Sequence, residues 1–260
     1  MKDSVQSDIS AFITSVITSA ASFGFNLPSD VVTTISSLAP SLERCIYRAL
    51  SFLSPKRLSE IECARLGLCY SEIAKAVKQN YSSGLQVCMP ELLEQKAGYS
   101  CVDEVIEALF RTALNDSQTI KSKIYGSFIG NVAFQFKYDS TQVYHLLRIV
   151  AGLSYYELCL VSALSQFSEK NYYLIEQEAS SDNADNPEVA ELFVALLHIM
   201  NLGLLRRVKP FYLGRTLDSH ELSFLARDLC RLFDLKLLKK EDVEKIQGLV
   251  QKYVREVERF

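Results

Sequence analysis

The residues of this 260-residue chain that could do chemistry are three histidines, seven cysteines and several groups of carboxylates. His145, His198 and His220 could act as metal ligands or proton carriers, but they lie far apart on different predicted helices and gather no ligand set. Glu60/Glu62, Asp103/Glu104/Glu107 and Glu241/Asp242/Glu244 place acids at helical spacing. General acid–base or two-metal chemistry needs matching His or Asp partners, and none stands out, so these read as solvated helix faces. Ser154 precedes Tyr155 without the Gly-x-Ser-x-Gly frame of a nucleophile elbow and reads as a helix cap. Cys45, Cys63, Cys69, Cys88, Cys101, Cys159 and Cys230 are odd in number and scattered. The closest pair, Cys63 and Cys69, has no matching pair elsewhere, which excludes a zinc ribbon and leaves free thiols in a reducing cytosol as the expectation. No catalytic residue, metal site or cofactor is expected; the sequence reads as a non-enzymatic helical interaction protein.

Two patterns could serve recognition. The first is Arg206, Arg207, Lys209 and Arg215, with Phe211 and Tyr212 interleaved, a basic strip able to meet phosphate or an acidic partner. The second is the tail, where Val243, Ile246, Val250, Tyr253, Val257 and Phe260 recur at alternating spacings of three and four. That rhythm belongs to a helix seating one apolar stripe on another helix, either in its own core or in a partner.

Composition narrows the classes. The chain is 48% hydrophobic and 23% charged, ordinary for a globular protein long enough to bury a full core, and its net charge is −3. A sequence pI near 5.7 is that of no electrostatic nucleic-acid binder as a whole. Residues 201–260 do hold 13 Lys and Arg against 9 Asp and Glu, a modest basic bias. The first ten residues include acids and lack a signal-peptide pattern, and no apolar run approaches the roughly 20 residues of a membrane span, so a cytoplasmic protein is expected.

Nearly every segment carries the 3.6-residue period. Residues 1–54 predict an N-terminal helical hairpin whose first helix has a Ser/Thr-rich outer face, suited to close packing against the body, a second subunit or lipid. Further helices are predicted from Pro55 through Arg65, over 71–80, from about 101 to Ala113, over 120–136, over 140–151 and from Ser154, with Gly126 and Gly130 on a central core helix open to close helix approach. Ser154…Glu157 is a capping box, and Asn186-Pro187-Glu188 combines an N-cap, proline at the first helical position and an acid in the first turn. Residues 169–186 form an acidic linker between a helical body, 1–168, and a C-terminal region, 187–260. In that region a helix over 187–202 leads into two β-capable pieces, 204–208 and 211–217, then a helix capped by Asp218…Glu221 and the partner-facing tail helix. The predicted class is therefore all-α with a small winged-helix-like β-hairpin. A DNA-reading helix should offer Arg, Asn or Gln, whereas 187–202 offers Glu188, Glu191 and His198, so protein contacts are favoured over DNA.

From about Pro40 to Leu225 the order of features is similar to bacterial phage-defence proteins of the abortive-infection alpha type. Glu104–Ala113 (EVIEALFRTA), Lys121–Phe136 (KSKIYGSFIGNVAFQF), Leu153–Ser162 (LSYYELCLVS) and Leu196–Arg206 (LLHIMNLGLLR) carry the resemblance. It implies an accessory or sensing subunit of a defence complex, whose partners are other protein subunits, such as an ATPase or nuclease, or further copies of itself. A winged-helix DNA-binding regulator and a membrane-acting effector are the competing expectations.

Overall fold

The computed structural model describes residues 59–85, 101–132, 134, 138–167, 171–174, 186–208 and 219–257, so the hairpin expected over 1–54 lies outside the described residues. The described part is mostly helical. It divides into two compact units, Met1–Arg148 and Ile149–Phe260, a division that falls ahead of the acidic stretch expected to separate them.

The first unit is built on α1 (Glu60–Ser82), α2 (Cys101–Asn115) and α3 (Lys121–Val132), with α4 (Ser140–Gly152) running on from it. Ser59 and Glu62 open α1 as a capping box, the Ser59 hydroxyl accepting the Glu62 N–H and the Glu62 carboxylate accepting the Ser59 N–H at 2.7 Å. Two helices were expected over this stretch; the chain makes one. A mid-helix glycine such as Gly67 costs about 1 kcal/mol, and burial of Leu66, Cys69 and Ile73 outweighs that. Asn80 on α1 donates to the Gly130 carbonyl and the Asn131 side chain of α3. Arg65 donates to the Leu114 carbonyl at the end of α2, at 2.7 Å.

Gly126 is where α1 and α3 touch. A Cβ there would sit 2.2 Å from the Cys69 carbonyl oxygen, a backbone atom that cannot swing aside. Gly126→Ala should therefore cost about 1–3 kcal/mol, read as a lower urea midpoint for the full chain at an unchanged slope. α3 itself ends at Val132, short of the expected 136.

The second unit contains α5 (Tyr155–Gln166), β1 (Asn171–Leu174), α6 (Pro187–Asn201), β2 (Leu205–Val208), β3 (Ser219–Leu222), α7 (Phe224–Leu232), a 3₁₀ turn (Leu235–Leu237), α8 (Lys240–Tyr253) and β4 (Val254–Val257). α5 is its central helix: Leu158, Cys159, Leu160, Val161, Ala163 and Leu164 are all buried, and α6, α7 and α8 pack on it. Both caps read from sequence form. The Ser154 hydroxyl accepts the Glu157 N–H, and the Asn186 side chain accepts the Glu188 N–H, with Pro187 at the first helical position. Gly203, at φ 72°, ends α6 in the left-handed conformation that glycine adopts without penalty, and the Leu204 N–H returns to the Ile199 carbonyl.

The sheet has the order β2-β3-β1-β4, antiparallel throughout. It corrects four expectations. Residues 171–174 are a strand inside the supposed 169–186 linker. The β2 partner is 219–222 rather than 211–217. The following helix starts at Ser223, whose hydroxyl accepts the Ala226 N–H, rather than at Asp218. The tail helix stops at Tyr253, because Val254–Val257 exchanges helical hydrogen bonds for a ladder with β1, pairing Tyr172 with Glu256. No single helix among the described residues is long and apolar enough to cross a membrane.

Candidate functional site

The apolar tail stripe lies mostly inside the second unit. Val243, Ile246 and Val250 are buried, and α8 packs along α5. Tyr253 closes the helix, and Val257 sits on β4 opposite Asn171. The partner seam predicted for these five residues is thus corrected for its first three, which the unit's own core covers, and broken before Val257 by the change to strand.

The basic strip is only partly assembled. The Arg206 guanidinium pairs with Glu221 across the β2–β3 ladder and lies 5.5 Å from the Phe224 ring centroid. Arg227, one turn into α7, also lies 5.5 Å from that ring, a partner the sequence pattern did not reveal. Phe224 is 68% exposed between the two cations. Arg207 stands on β2 opposite His220, while Lys209 and Arg215 lie outside the described residues.

The three histidines lie on three different elements. His145 is exposed on α4 and His220 is buried on β3. His198 Nδ1 meets Glu157 Oε1 at 2.5 Å, so the capping-box carboxylate also ties α6 to α5. Among the described residues no group of three or more His, Cys, Asp or Glu is placed to hold a metal ion.

Two features escaped the sequence reading. One is the outer face of α6. Val189, Leu192, Ala195, Leu196 and Ile199 face the core, yet Val194 is 67% and Leu197 56% exposed, continuing a line through Ala190 toward Asn201. The signal was available: apolar residues at spacings of four and three recur on the side away from the inward stripe, more than a solvated helix face needs.

The other is a cavity of about 240 Å³ lined from α5 (Tyr155, Tyr156, Cys159), α6 (Glu188, Glu191) and α8 (Asp242, Lys245, Ile246, Leu249). The Tyr155 hydroxyl donates to Asp242 at 2.7 Å and accepts the Lys239 N–H at 3.3 Å. Burial first, then the bond to Asp242, drives its phenol far above the ordinary tyrosine range. Lys245 bridges to Glu188 at 2.8 Å. The Tyr156 hydroxyl is buried without a hydrogen-bond partner among the described residues; burial first, then Glu191 and Glu188, pushes that phenol up to about 12. Burial likewise pushes the Cys159 thiol up to about 11, so it stays protonated and non-nucleophilic at neutral pH.

Compared with protein-family models, with curated proteins and with solved structures, the chain finds no match.

Proposed function

We propose that this chain is a non-enzymatic subunit of a bacterial multiprotein complex, working through helix–helix contacts made by the outer face of α6. The single observation that carries the reading is the exposed pair Val194 and Leu197 on a helix whose other face is fully used. The occupant that fits is an amphipathic helix of another subunit, its apolar stripe on Val194 and Leu197 and a basic flank toward Glu191. The similarity in feature order to abortive-infection alpha proteins supplies the setting, anti-phage defence.

The arrangement α6, β2, β3 with β1 as third strand matches the order in which a winged-helix module builds its recognition helix and wing. In such a module α6 would face the major groove. Glu188, Val194 and Leu197 there offer phosphates nothing, which supports reuse of the layout for protein contacts. The second reading, a DNA-binding regulator, draws on Arg206 and Arg227 flanking exposed Phe224.

Both readings meet one test. Co-expressed with the products of its neighbouring genes, the wild-type chain is expected to co-elute with a partner, and the double variant Val194→Glu/Leu197→Glu to lose it, weakened about thirtyfold or more. Because both side chains are exposed, thermal stability should move by no more than about 0.5 kcal/mol. Co-elution that survives the double variant overturns the α6 assignment. Retention of duplex DNA by the chain alone at physiological salt, abolished by Arg206→Glu, establishes the regulator instead.

A further inference from the structure

We infer that Glu157 is a positioning residue for the docking face of α6. From α5 it fixes the proton of His198 on Nδ1, so that Nε2 is presented as a hydrogen-bond acceptor and selects a partner helix with a donor at that point. The inference rests on the α6 reading above and supplies the polar contact that goes with its apolar pair.

The Glu157 side chain is only 11% exposed, and both its oxygens are engaged. One accepts the Ser154 N–H at 2.7 Å, and the other lies 2.5 Å from His198 Nδ1. An ionised carboxylate can only accept, so the proton between the two groups belongs to Nδ1. In a neutral imidazole the other nitrogen then carries a lone pair. The two ring nitrogens bond in diverging directions, so with Nδ1 turned toward α5, Nε2 is turned away from it. The His198 side chain is 42% exposed. It follows Leu197 directly and stands one turn beyond Val194, the two exposed apolar residues of the face. A carboxylate on the inner nitrogen is the usual means of setting the tautomer of a histidine that works through its outer one.

The occupant remains the amphipathic helix of another subunit. The residue it brings to His198 is a donor that accepts nothing, an arginine or lysine of its basic flank. Glu191 and His198 stand seven residues apart on α6, so two basic residues at heptad spacing on the partner would meet them both.

Nitrogen NMR of the histidine-labelled full chain at pH 8, above the ordinary histidine value of about 6.5, should show His198 protonated on Nδ1 and bare at Nε2. Glu157→Gln tests the cause. Glutamine serves a capping box as glutamate does, so the thermal midpoint should change little. Its carbonyl keeps the Ser154 N–H while its NH2 faces Nδ1, which moves the proton to Nε2 and turns the acceptor into a donor. The co-expressed partner should then bind about tenfold more weakly, although Glu157 itself is buried. His198→Leu should weaken docking by a similar factor, and Glu157→Gln added to it should cost nothing further. A wild-type His198 protonated on Nε2 or on both nitrogens, or additive losses in the double variant, overturns the inference. A partner lost with Val194→Glu/Leu197→Glu but indifferent to Glu157→Gln overturns this inference alone and leaves the α6 reading standing. A partner that survives the Val194/Leu197 pair overturns both.

Discussion

Val250→Asp should destabilise the second unit by about 2.5–6 kcal/mol and should do so in the chain alone, without any partner present. Val250 is 1% exposed on α8 in the contact with α5, where Val243 and Ile246 are buried beside it. The substitution forfeits about 1.5–3 kcal/mol of aliphatic burial and buries a carboxyl, at about 1–3 kcal/mol more. Lys252→Ala, two residues on and exposed, should stay within about 0.5 kcal/mol of wild type. Urea unfolding of the full chain, with amide exchange along α8 as second readout, separates the cases. A Val250→Asp chain with an unmoved midpoint would restore α8 to the role of a partner helix.

That stripe shows how far the amino-acid pattern reaches. Spacing alone gives a helix with one apolar seam, and it gives no preference between a seam on α5 and a seam on another chain, because both bury the same side chains. The period also hides the strand at its end. Val254-Arg-Glu-Val257 alternates as a strand would, but within a run of threes and fours its valines count equally well as helical. What decides is β1, which pairs from Asn171 to Leu174 with Val257 to Val254 across a separation no local window spans. The same non-locality places a strand at Asn171–Leu174, near the start of the acidic stretch. Local chemistry, by contrast, is legible at two helix starts, though Asp218…Glu221 misleads at a third, whose cap is Ser223. Ser154 with Glu157, and Asn186 with Pro187, specify helix starts through atoms three residues apart or fewer, and both form as read. The cavity was illegible for the opposite reason: Tyr156, Glu191 and Asp242 come from three helices, and nothing in their own neighbourhoods announces that they meet.

In the first unit, removing the Asp116 carboxylate should cost about 3–5 kcal/mol, because it takes the counter-charge from a buried ammonium. Lys121 and Asp116 meet at 2.6 Å with side chains only 3% and 9% exposed. The Tyr125 hydroxyl donates to the same carboxylate at 2.6 Å, and the Gln118 N–H donates at 2.9 Å. Burial acts to raise the Asp116 carboxyl; the bonds from Lys121, Tyr125 and Gln118 and the charge of Lys121 overcome it and hold the carboxyl below its usual range. Its contribution is therefore present above the unfolded value of about 3.9, and is lost as pH falls below that through the folded value. In Asp116→Asn the pH-dependent contribution of the Asp116 carboxylate is gone, so the variant should lack the loss of stability that wild type shows as pH falls below about 3.9. Lys121→Met leaves a buried carboxyl that is tolerated best when protonated, with stability falling as pH rises. The double variant Asp116→Asn/Lys121→Met removes both charges and should recover most of either single loss. Urea midpoints of the four chains between pH 3 and 9 check the set. Equal and additive losses, with parallel pH profiles, would show that the pair is not the coupled, buried unit its geometry describes.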